Sequence, residues 1–102
     1  MKITELIPQG KNNAISRSHL LTLCKEYGIA NTDREMRRQI AKAREEFAIL
    51  NTQTGQGYFR PGKDDKEELR HYIMQEAQRS ITILQNLEMA KNLLSDMEKN
   101  RI

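Results

Sequence analysis

The chain has no tryptophan and no valine, a single cysteine, two prolines and only five aromatic side chains. A β-sandwich or large sheet is built from β-branched and aromatic residues, so those folds lack their usual material and helix is expected to dominate. Cys24 can form no internal disulfide and cannot by itself anchor a metal, which fits a reducing compartment; it reads as a small buried hydrophobe. Long apolar runs are also missing. The longest are three or four residues, such as Ala48-Ile49-Leu50, against roughly 20 needed to cross a bilayer. No membrane-spanning segment is expected. With Glu5 and Pro8 inside its only apolar patch, the N-terminus does not read as a secretory signal, and a cytoplasmic location is the expectation. At 102 residues, 37% of them hydrophobic, the chain has room for one core and at most one appended element.

Charge is unevenly distributed. The net is +3, but residues 1–63 carry 11 Lys/Arg against 6 Asp/Glu, while residues 64–102 carry 6 against 8. The basic excess lies in the first part, and a modest surplus alone only leans toward nucleic acid.

Several local signals divide the chain. Ile3, Leu6 and Ile7 form a short apolar turn stopped by Pro8 and Gly10. Ser16 is a helix N-cap, and Leu20, Leu23, Cys24 and Tyr27, widened by Leu21, form the apolar face of a helix from Arg17 to about Tyr27 that Gly28 ends. After only Ile29 to Asn31, Thr32 with Glu35 reads as a capping box, and the spacing predicts a second helix from Asp33 to about Glu46. Met36, Ile40, Ala43 and Phe47 make its core sector. Its opposite side holds Arg34, Arg38 and Ala41, flanked by Arg37 and Lys42. Ala48 to Thr52 and Tyr58 to Arg60 are strand candidates around Thr54-Gly55-Gln56-Gly57, a β-hairpin ended by Pro61-Gly62. From Asp64 or Asp65, either able to cap with Glu67 or Glu68 following, one helix runs without Gly or Pro to about Lys99. The expected architecture is therefore mainly α with a small β-hairpin: one domain over 1–62, then one long helix over 63–102.

Two helices joined by a tight turn, followed by a hairpin, is the order of a winged helix-turn-helix. Thr32-Asp33-Arg34-Glu35-Met36-Arg37-Arg38-Gln39-Ile40, Ile49 and Gly57-Tyr58-Phe59 resemble the small winged-helix proteins common in bacteriophage genomes. Those combine a recognition helix opening near a D-R-x-[hydrophobic]-R motif with a G-Y wing strand. The resemblance covers about residues 5–61. It implies duplex DNA binding through the helix at 33–46 without specifying a process, because such domains occur in repressors, replication proteins and packaging proteins.

The residues also point that way directly. Arg34 and Arg38, one turn apart, suit guanine edges in the major groove, and Ala41 permits close approach. Arg37, Lys42 and Arg44 lie to the sides, where phosphates are met. Ser16, Arg17 and Ser18 bring donors and a helix N-terminus toward the backbone. Gln53, Thr54 and Gln56 at the hairpin tip, with Arg60 beyond, are the candidates for backbone or minor-groove contact.

Nothing in the sequence points to catalysis. His19 and His71 have no acid at a recognisable spacing, and no phosphate-cradling loop, nucleophile elbow or zinc pattern is present. Asp64, Asp65, Glu67 and Glu68 are the usual acidic opening of a helix. No metal or cofactor is expected. In the last segment Ile83, Leu87, Ala90, Leu94 and Met97 alternate four and three apart, the seam of a short coiled coil, whereas Leu69 to Ala77 lie near enough to the first domain to pack on it. The expectation is a homodimer that presents two recognition helices. The alternative is a protein-binding adaptor or host-factor inhibitor that keeps the winged-helix scaffold without using DNA.

Overall fold

Ser16 and Thr32 start the two central helices by the same chemistry. In the structure, a computed structural model that describes residues 1–52, 54–55 and 57–99, Ser16 Oγ accepts from His19 N at 3.2 Å and Thr32 Oγ1 accepts from Glu35 N at 3.1 Å. Each side chain thereby pairs one of the amides that a first helical turn leaves open. Helix α2 spans Arg17–Glu26 and α3 spans Asp33–Ala43, preceded by a single turn, α1, at Ile3–Leu6. Gly28 closes α2 at φ +69°. Its N–H donates to Lys25 O at 3.3 Å and that of Ile29 to Cys24 O at 2.8 Å, the paired closure in which a β-carbon would cost roughly 1–2 kcal/mol.

The capping box expected at Thr32 forms only in half. The Glu35 carboxylate reaches past the N-cap amide to Asn31 N at 2.8 Å, so it seals the tight turn. Helix α3 also stops earlier than its periodicity predicts. Beyond Ala43, Glu45 and Glu46 donate to carbonyls three residues back, and Arg44 Nε donates to Ile49 O at 3.0 Å, which draws the chain round toward the sheet.

Three short strands make an antiparallel sheet in the order β1-β3-β2: β1 Ile15–Ser16, β2 Leu50–Asn51 and β3 Gly57–Phe59. Ile15 pairs with Tyr58 on one side of β3, and Leu50 pairs with Phe59 on the other. β1 was not expected, because two residues are too few to show alternation. It approaches closely because Gly57 has no side chain; a β-carbon there would lie 3.2 Å from Ile15 O and 3.3 Å from the Ala14 β-carbon.

Ile3, Ile7, Leu20, Cys24, Ala30, Met36, Ile40, Ile49, Leu50, Tyr58 and Phe59 are buried. Tyr58 and Phe59 point to opposite faces of the central strand, yet both are covered. Tyr27 and Phe47, expected in the core, are 53% and 46% exposed. Tyr27 is the C-cap of α2 and Phe47 lies past the end of α3, so the helical phase that assigned them inward no longer holds there.

The chain divides into a compact unit, Met1–Leu69, and a second unit from Arg70. The division falls a little past the sequence boundary at 62, because the start of α4, Lys66–Glu98, belongs to the first unit. Asp65 is the reason. Only 8% exposed, it directs Oδ2 to the amides of Gly62 at 2.8 Å and Lys11 at 3.1 Å, while Leu69 N donates to its carbonyl at 3.0 Å. Its carboxylate thus holds the preceding loop. Helix α4, about 50 Å long at 1.5 Å per residue, has no buried residue. The protein is mainly helical, with a small three-stranded sheet and a long C-terminal helix, and no described helix is long and apolar enough to cross a membrane.

Candidate nucleic-acid interface

Helix α3 turns Met36 and Ile40 inward, which obliges positions half a turn away to face outward. Arg34, Arg38, Ala41 and Lys42 are all exposed. Arg34, Arg38 and Lys42 succeed one another at intervals of four, and their side chains take no hydrogen bond or ion pair among the described residues. Successive members rise by about 6 Å along the axis, close to two base-pair steps of duplex DNA at ~3.4 Å each. Ala41 leaves room beside them.

Arg17 and Arg37 are engaged. The Asp33 carboxylate, on the first residue of α3, takes Arg37 Nε at 2.9 Å and Arg17 Nη2 at 3.1 Å on the same oxygen, Oδ2. One acid therefore joins the start of α2 to the start of α3. The Asp33–Arg37 spacing of four is legible in the sequence as a helical ion pair. The Arg17 half is not, because only the tertiary arrangement brings α2 and α3 together. Asp33 is the residue that reading along the chain passed over.

Arg44, expected at phosphates, and Arg60, expected at the DNA backbone or minor groove, each donate to a carbonyl of the fold. Arg44 is tied to Ile49 O as described. Arg60 is half-buried and clamps the N-terminal segment: Nε donates to Ile7 O at 2.8 Å, its amide donates to Pro8 O at 2.8 Å and its carbonyl accepts from Gly10 N at 2.8 Å. A guanidinium that satisfies a carbonyl in a partly buried place is held there by the cost of leaving that carbonyl unpaired.

Ser16 caps α2, and its Oγ lies 3.5 Å from Ser18 Oγ. With Arg17, Leu21, Asp33 and Gly55, these serines line an open concavity of about 560 Å³, so the start of α2, the start of α3 and the hairpin turn border one depression. Thr54 is exposed, its Oγ1 3.1 Å from Thr52 Oγ1. Gln53 and Gln56 lie outside the described residues. No protein-family model, curated protein or solved structure matches this chain.

Outside this surface, among the described residues, no group of three or more His, Cys, Asp or Glu is placed to hold a metal ion. Burial pushes the Cys24 thiol above its ordinary pKa, which keeps it protonated and unreactive. A hydrogen bond from Lys11 Nζ at 3.0 Å draws the Glu68 carboxyl below the usual carboxylate range.

Proposed function

We propose that this chain is a duplex DNA-binding protein of winged helix-turn-helix type that lays α3 in the major groove, serving as a phage-type transcription regulator or replication accessory in the cytosol of a bacterial host. The element order α1-β1-α2-α3-β2-β3, with β3 central in the sheet, supports the winged-helix assignment anticipated from the Gly57-Tyr58-Phe59 resemblance. The observation that carries the reading is the row Arg34, Arg38, Lys42: three exposed cations without an acid partner, in line on the helix that follows the tight turn. Arg34 and Arg38 read base edges, and Lys42 holds phosphate. Such a protein works by binding, with no catalytic residue and no cofactor.

The experiment is a fluorescence-anisotropy titration on random and selected duplexes over a range of salt. Replacing Arg34 and Arg38 together by Ala is expected to abolish discrimination, each lost base contact relaxing it by about 1–3 kcal/mol. Unchanged duplex affinity in that variant would refute the proposal.

The long helix supplies the second part. Ile83, Leu87, Leu94 and Met97 are 57%, 49%, 56% and 52% exposed, and Ala90 lies exposed between them. A second copy matches this four-three period by construction, so we assign the stripe to a homodimer seam. A protein-binding adaptor is the second reading. It is favoured by the exposed Tyr27 and Phe47, which with Met1, Ile29 and Gln39 border a groove of about 500 Å³. In that case partner capture survives loss of Arg34 and Arg38 and fails when Tyr27 or Phe47 is made charged.

A further inference from the structure

Two of the five basic residues around the start and outer face of α3 are already paired in the free protein. Arg17 and Arg37 converge on one oxygen of Asp33, at 3.1 and 2.9 Å, and Asp33 borders the same depression as Ser16, Ser18 and Gly55. A carboxylate at that place is anomalous on a surface that meets phosphates, since it both neutralises neighbouring cations and repels the backbone. The open amides and dipole of the first turn of α3 favour an acid here, but they do not require it to pair with Arg17. All three side chains are substantially exposed, at 45% for Arg17, 61% for Arg37 and 39% for Asp33, and ion pairs so exposed contribute little to folding. The capping of α3 is handled separately by Thr32.

We propose that Asp33 restrains sequence-independent DNA binding by keeping Arg17 and Arg37 off the phosphates, which leaves Lys42 as the unpaired phosphate-binding cation of α3. This rests on the duplex-binding reading above. Each phosphate contact contributes about 0.9 to the slope of log affinity against log salt. Freeing two guanidiniums should therefore steepen that slope by up to about 1.8.

The test uses the full chain and a random-sequence duplex of about 20 base pairs, titrated at several salt concentrations. Asp33→Asn is expected to bind this duplex roughly tenfold more tightly near 0.1 M salt with the steeper slope, and Asp33→Glu to return to the wild-type slope. In a background lacking both Arg17 and Arg37, Asp33→Asn should lose most of its gain. A second measurement does not depend on the Asp33 variants folding: Arg17→Ala with Arg37→Ala in the wild-type background should flatten the random-duplex salt slope less than Lys42→Ala alone. An equal or greater flattening in the Arg17, Arg37 double variant, or an unchanged slope in a folded Asp33→Asn, would overturn the role of Asp33 while the duplex-binding reading stands. Wild-type protein that shows no salt-dependent duplex binding would overturn both.

Discussion

At the scale of single residues, the polar groups with the greatest consequence for the fold are those that bind backbone. Asp65 accepts from two amides at 2.8 and 3.1 Å while nearly buried. Asp65→Ala should lower stability by about 1–3 kcal/mol, because both donors lose a charged partner where water has poor access. Urea denaturation measures this, and duplex affinity per folded molecule should not change. Glu68 gives a pH dependence whose sign follows from its lowered pKa. Its contribution is present above the ordinary carboxylate range and is lost as pH falls through the folded-state value. Lys11→Met removes the hydrogen-bond donor responsible, so the melting temperature of that variant should fall less between neutral pH and pH ~3 than that of the wild type.

At the scale of elements, α3 and α4 differ in what supports them. α3 is held by a core side, an N-cap and a sealed turn, and its early stop follows from Arg44 folding back to Ile49. α4 has 33 residues and none buried, although a solvated helix with a stripe of large apolar residues loses the hydrophobic contribution that normally sustains such a pattern. Light scattering at tens of micromolar is expected to give a dimer. Leu87→Glu combined with Leu94→Glu should give a monomer whose helical content, followed by circular dichroism, no longer rises with concentration.

At the scale of the whole molecule, the charge division has a physical use. The basic excess lies in residues 1–63 and the acidic excess in 64–102, so the part that carries α3 attracts a polyanion while the C-terminal part does not. The exposed Arg34-Arg38-Lys42 row and the restrained Arg17–Asp33–Arg37 group sit on this basic part. On the proposed reading, the first set docks and the second is held in reserve.

Local chemistry alone determined the starts of α2 and α3, the stop at Gly28, the hairpin, the uninterrupted α4 and the outward row on α3, because caps, glycine conformations and helical periodicity act within a few residues of chain. Tertiary structure decided what depends on neighbours distant in sequence. It added β1 by pairing Ile15 with Tyr58, exposed Tyr27 and Phe47 where helical phase ended, gave Arg44 and Arg60 to backbone carbonyls, and brought Arg17 to Asp33. A side chain's type states what it can bond to, but which partner it takes depends on where the fold places the alternatives.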